Sequence, residues 1–120
     1  MELNLNSNSE INLISSYGTS SFTVNKEQHT ASFLITPTNI ISWHISSIAA
    51  INLSLDNIIA CAPDTLIIGT GAKTVMLSPE KLQQLIKHKI SYEIMSSVAA
   101  AKTYNILAMD NRNVLAAIFI

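Results

Sequence analysis

Leu66-Ile67-Ile68-Gly69-Thr70-Gly71 decides the fold. From Thr65 to Ile68 the chain shows no polar alternation, the pattern of a strand covered on both faces, and it then breaks at Gly69. Downstream, Ser78 is a good N-cap and Pro79 suits a first helical position. Leu82, Leu85, Ile86 and Ile90 then recur at helical spacing and predict one buried face. Glu80 favours the positive end of that helix, and Lys87, His88 and Lys89 favour the negative end. Ser91 to Met95 predicts the next strand, and Ser96 or Ser97 caps a helix reaching to about Met109. Val114 to Ile120 is again continuously apolar. Strand, helix, strand, helix, strand with short links predicts a three-stranded parallel sheet joined by right-handed crossovers.

Upstream of this unit the pattern changes. Ile14 to Val24 and Ala31 to Ile35 predict two strands of a hairpin, with Asn25-Lys26-Glu27-Gln28-His29 turning between them. Pro37 ends the hairpin, and Ile40 to Ile45, which includes Trp43, predicts a third strand. Leu55 to Cys61 has room for two helical turns, capped by Ser54 and stopped by Pro63. Residues 1–12 are rich in Asn and Ser without a sustained period, and predict a flexible tail ahead of a single α/β domain over residues 13–120. The expected architecture is an α/β layered sandwich with a C-terminal parallel sheet and an N-terminal antiparallel strand set.

Composition narrows the classes of function. Only 12% of the 120 residues are charged, about half the usual fraction, while 48% are apolar, which describes a core-rich globular domain. No apolar run approaches the roughly 18 residues of a membrane span, and the opening residues lack the pattern of a signal peptide. A single cysteine, Cys61, fits a reducing compartment, so the expected location is cytoplasmic. Residues 1–64 carry Lys26 against Glu2, Glu10, Glu27, Asp56 and Asp64, a net −4. Residues 65–120 carry Lys73, Lys81, Lys87, Lys89, Lys102 and Arg112 against Glu80, Glu93 and Asp110, a net +3. An anionic ligand or acidic partner is therefore expected at the C-terminal half. The bias is too mild, and too poor in neighbouring aromatics, for a nucleic-acid surface.

Ile67-Ile68-Gly69-Thr70-Gly71, then Leu77 and Pro79, Glu93-Ile94-Met95, Thr103-Tyr104-Asn105-Ile106-Leu107, Arg112 and Ala116-Ala117 follow one another in an order that resembles a small single-domain α/β family. That family gathers bacterial and archaeal proteins of unknown function, an adipogenesis-associated protein and a mitochondrial assembly factor for respiratory complex I. The resemblance runs over roughly residues 13–120, with Trp43 as a further match. It implies a layered fold with a parallel sheet and a role in assembly, and it implies no established catalytic reaction. Where the family has Asp-Thr after the methionine, this chain has Ser96-Ser97, and the family's Glu-Gly-Arg becomes Asp110-Asn111-Arg112. A family mechanism that needs the lost carboxylate does not transfer.

The candidate binding residues are Gly69, Thr70, Gly71, Lys73, Ser96, Ser97, Lys102, Asn105 and Arg112. Both strand-to-helix loops among them stand at carboxyl ends of parallel strands, where open α/β sheets bind ligands. Gly69-Thr70-Gly71 lacks the third glycine of a dinucleotide fingerprint and the Gly-Lys-Ser/Thr of a P-loop, so a tight turn is expected there ahead of a phosphate cradle, and a binding surface can still include it. Lys102 sits early in its helix, where the dipole disfavours a cation by ~0.3–1 kcal/mol. Two readings stand for it: a solvated lysine paired with Asp110 or Glu93, or a cation that meets an anion or a partner's carboxylate. Tyr104 shares a face with Ala100 and Leu107 and is expected in the core with its hydroxyl bonded. Asn105, on another face, is expected to bond a loop or a ligand, and Arg112 to clamp the helix end or pair with Asp110.

His29, His44 and His88 belong to unrelated segments, no ligand spacing for a metal is present, and no nucleophile elbow occurs. Cys61 reads as a small buried apolar residue. Neither a catalytic set nor a cofactor is expected. The leading expectation is a non-enzymatic binding module with protein partners, which the family resemblance implies is an assembly or biogenesis factor for a larger, respiratory or membrane-associated complex. The alternative is a site for a small anionic metabolite, with or without turnover, at the same edge of the sheet.

Overall fold

The structure, a computed structural model, describes residues 11–18, 20–51 and 56–120. Its strands are β1 (Ile14–Tyr17), β2 (Phe22–Val24), β3 (Glu27–His29), β4 (Phe33–Ile35), β5 (Ile40–Ser42), β6 (Thr65–Gly69), β7 (Ser91–Met95) and β8 (Val114–Ile118). A 3-10 turn spans Ile48–Ala50, and the helices are α1 (Asp56–Cys61), α2 (Pro79–Lys87) and α3 (Ser97–Met109). Strands β1-β2-β3 form a small antiparallel meander. The second sheet has the order β5-β4-β8-β6-β7. Within it β6 runs parallel to both β7 and β8, as the sequence predicted, while β4 pairs antiparallel with β8 and β5.

Alternation on the central strands sorts the core into two layers. Phe33, Ile35, Ile67, Val114, Ala116 and Ile118 face the meander and α3, joining Ile14, Phe22, Val24, Ala100, Ala101, Tyr104 and Ala108. Leu34, Leu66, Ile68, Leu115 and Ala117 face the other way, toward Trp43, Ile51, Ile58, Leu82, Leu85 and Ile90. Because both faces are covered, β6 and β8 read as unbroken apolar runs.

Four local expectations need correction. Ile14 to Val24 is not one strand: the chain reverses between Tyr17 and Phe22, where the Gly18 N–H donates to the Ser21 carbonyl. The segment read as a turn is itself mostly strand, since β3 occupies Glu27–His29 and the reversal is confined to Asn25 and Lys26. Both of those residues have positive φ, 53° and 70°, as a type I′ hairpin turn demands. With β3 as the hairpin's second strand, the strand expected over Ala31 to Ile35 is instead β4, which joins the larger sheet beside β8. Third, Ile86, expected in the buried face of α2, is 61% exposed. Fourth, Asn12, expected in the tail, is buried: its Nδ2 donates to the Thr36 carbonyl at 3.0 Å and its Oδ1 accepts from Asn25 at 2.7 Å. Residues 1–10 lie outside the described residues, as do Ser54 and Leu55 at the expected start of α1. Cys61 is half-buried against the second core layer.

Lysine at a left-handed turn position is strained, because its Cβ crowds the carbonyl that glycine leaves free. Lys26→Gly creates the favoured Asn-Gly pair and is expected to raise stability by about 1 kcal/mol, read as a shift in the urea midpoint at unchanged m.

Candidate functional site

The two strand-to-helix loops meet, as their places on parallel strands require. The Gly71 N–H donates to Ser97 Oγ at 2.9 Å, and the Ser97 N–H donates back to the Gly71 carbonyl at 2.8 Å. Ser97 Oγ also donates to the Phe119 carbonyl at 2.6 Å, so a single buried hydroxyl ties both loops to the strand end beyond β8. Ser96 caps α3 by accepting from the Ala99 N–H. Thr70 holds the longer loop: its hydroxyl donates toward the Lys73 and Met95 carbonyls and accepts from the Val75 N–H.

Both glycines answer to packing. An added Cβ on Gly69 would stand 2.8 Å from Ser97 Cα and 3.0 Å from Ala100 Cβ, so α3 lies against β6 as closely as its backbone allows. Gly71 takes φ of +104°, which side chains rarely adopt, with the Phe119 ring beside it. The start of α3 offers an anion no free N–H group at Ser97, Ala99 and Ala100. Their donors are taken by the Gly71 carbonyl, Ser96 Oγ and the Ser96 carbonyl.

Asn105 and Tyr104 also turn inward. Asn105 Oδ1 accepts from the Ile14 N–H at 2.8 Å, and its Nδ2 donates to the Ile14 carbonyl at 2.7 Å. The amide thus acts as a one-residue strand partner for β1. Asn105→Ala leaves both Ile14 groups without that partner and is expected to cost about 2 kcal/mol, with Asn105→Asp, which keeps the acceptor only, falling between; urea melts of the three proteins rank them. Tyr104 is fully buried and its hydroxyl donates to the Asn12 carbonyl at 2.7 Å. Desolvation raises its phenol above the usual tyrosine range.

What remains open to a partner is a different subset of the residues. Lys73 and Lys102 are exposed. Lys102 pairs with neither Asp110 nor Glu93; its ammonium stands 5.7 Å from the centre of the Tyr17 ring, a cation–π contact that holds the charge at the surface. Beside it on the outer face of α3, one turn and two turns on, lie Ile106, 65% exposed, and Met109. Met76, at the tip of the Gly71–Ser78 loop, is 76% exposed. Arg112 pairs with Asp110 at 3.8 Å, with both side chains largely in water, so the bridge adds little. Its N–H closes α3 on the Leu107 carbonyl while Asn111 takes φ of 59°, a Schellman end.

Sequence reading passed over Tyr17, Ile106 and Met109. The available signal was that α3 has one charge among its 13 residues, too few to make a polar outer face, which leaves apolar side chains on the side away from the sheet. Among the described residues no group of three or more His, Cys, Asp and Glu side chains is placed to hold a metal. A cleft of about 350 Å³ opens between β3 and β5, lined in part by Glu27, His29, Phe33 and Ser42, and none of the candidate residues lies in it.

The sequence model of a family described as "Protein of unknown function (DUF498/DUF598)" matches residues 14–119. A "13 kDa major membrane protein" of Francisella tularensis subsp. holarctica is 34% identical over 96 residues, which cover 78% of each chain. The zebrafish (Danio rerio) protein named "NADH dehydrogenase [ubiquinone] 1 alpha subcomplex assembly factor 3" is 30% identical over 109 residues, 88% of this chain and 63% of that one. A crystal structure of a Bordetella parapertussis protein superposes with a TM-score of 0.85 at 31% identity, covering 91% of this chain and 95% of that chain. Among the described residues of the present chain, no helix is long and apolar enough to cross a membrane.

Proposed function

The chain belongs to the DUF498/DUF598 family of proteins of unknown function, and from that premise we propose that it is a non-enzymatic binding module, an assembly or biogenesis factor for a larger protein complex. One observation carries the reading: a relative named as an assembly factor aligns with 88% of this chain at 30% identity. The chain spans 63% of that relative's length, so the longer protein's own partners are not transferred with the name. The proposed location is the cytoplasm, in keeping with the lone Cys61.

The binding surface we assign is the outer face of α3 with Tyr17, together with Lys73 and the exposed part of its loop. Thr70, Ser97, Tyr104 and Asn105 serve beneath it by fixing the loops and the meander to the sheet. Aromatic and methionine side chains are enriched in protein interfaces, and Tyr17, Met109 and Met76 supply them here alongside two exposed lysines. A partner with apolar side chains and flanking carboxylates suits this surface.

Lys73→Glu combined with Lys102→Glu is expected to weaken capture of the partner that wild type retains by at least tenfold, about 1.4 kcal/mol, with circular dichroism unchanged. The check is affinity capture from the native cell followed by titration of the recovered protein. Undiminished affinity in a folded double variant moves the surface away from α3.

A further inference from the structure

We propose that the outer face of α2 is a self-complementary surface that docks a second copy of this chain, with the two α2 helices antiparallel about a two-fold axis at Gln83. The helix sends Leu82 and Leu85 into the core and presents Pro79, Gln83 and Ile86 outward, at the i, i+4 and i+7 spacing of one stripe. These three residues and Glu80 line an open groove of about 340 Å³. Ile86 is the anomaly that draws attention to it: a branched aliphatic side chain, 61% exposed, on a helix that otherwise buries its large apolar residues.

The charges choose both the occupant and its direction. Glu80 stands in the first turn and Lys87 in the last, and among the described residues the ion pairs involve neither. A two-fold axis at Gln83 exchanges positions equally distant from it. Ile86 of each copy then lies over Glu80 in the groove of the other, and Lys87 lies over Pro79, next to the other copy's Glu80. The basic end Lys87-His88-Lys89 meets the Glu80 carboxylate at the start of the opposite helix, and the two macrodipoles run antiparallel. A parallel arrangement would set Glu80 against Glu80 and Lys87 against Lys87. A contact that repeats the same patch on both copies closes on itself and stops at two.

Two nine-residue helices bury less than the ~1,200–2,000 Å² of a stable interface, so the association is weak and depends on concentration. It uses a face of the molecule other than the Lys102 surface, and it stands or falls separately from the proposed function.

Sedimentation velocity of the full chain, from roughly micromolar to millimolar concentration, reads the equilibrium directly. Wild type is expected to shift from monomer to dimer across that range and to go no further. Ile86→Asp, Glu80→Lys and Lys87→Glu should each raise the dissociation constant at least tenfold. The double variant Glu80→Lys/Lys87→Glu, in which the charges trade places, should return it to within threefold of wild type. All three side chains are exposed, and circular dichroism verifies that each variant folds. A wild-type protein that stays monomeric throughout, a dimer indifferent to Ile86→Asp, or a charge exchange that fails to restore association overturns the proposal.

Discussion

Tyr104→Ala is expected to destabilise the domain by about 3–5 kcal/mol, the range for removing a buried aromatic ring. The ring is fully buried among Ala100, Ala101 and Ala108 on α3 and the apolar side chains of the first core layer. Alanine would open a cavity that the small helix residues around it cannot fill. It also strips the Asn12 carbonyl of its donor, so the stretch leading into β1 loosens together with the core. Tyr104→Phe keeps the ring and removes only the hydroxyl, and should cost about 1–2 kcal/mol.

The same residue gives a pH signature whose sign follows from its environment. Burial raises the folded-state pKa of the phenol, so the native protein holds its proton where an unfolded chain, with tyrosine at about 10, releases it. Stability from this group is complete below about pH 10 and is lost as pH rises beyond it, with a limiting slope of about 1.4 kcal/mol per pH unit. Chemical denaturation of wild type and Tyr104→Phe across that range should give curves that converge at alkaline pH. Parallel curves would show that the hydroxyl is not desolvated.

The second large effect belongs to Gly69. Gly69→Ala is expected to cost about 3 kcal/mol, at the upper end for overpacking, because the new methyl group would stand 2.8 Å from Ser97 Cα, a backbone atom that no rotamer change removes. Relief requires α3 to lift from β6, which breaks the Ser97 bonds to Gly71 and Phe119 in the same movement. Loss of the Tyr17–Lys102 arrangement should follow, since Lys102 rides on that helix. Thermal denaturation measures the first consequence, and partner capture by the folded fraction measures the second. A variant as stable as wild type would mean that helix and strand are less tightly apposed than these distances state.

The parallel half of the fold was legible because each signal there is local. Thr65 to Ile68 and Val114 to Ile118 are apolar without alternation, Ser78-Pro79 starts one helix, and Ser96 caps the next. The meander was less legible, because its turns lack the usual punctuation. Asn25-Lys26 turns without glycine, and β2 and β3 are three residues each, too short to display a period. Sequence could not assign β4 to the larger sheet either, since its partner β8 lies some eighty residues away.

The candidate site divides in the same way. Sequence alone established the family, the two adjoining loops at the ends of β6 and β7, and the basic character of the half that carries them. It also named Gly69, Ser97 and Asn105, as a turn glycine, a helix cap and a hydrogen-bonding amide, and left open whether each served the fold or a ligand. Only the tertiary structure decided that these three are braces and that Lys102, resting on Tyr17, is presented outward. The physical reason is that a hydrogen-bonding side chain declares its chemistry in the sequence but not its direction. Direction is set by which backbone groups the fold brings near it: Ile14 lies 91 residues from Asn105, and Phe119 lies 22 from Ser97. The exposed faces of α2 and α3 follow the same logic, since Ile86 and Ile106 are as apolar as any core residue and only the position of the sheet leaves them outside.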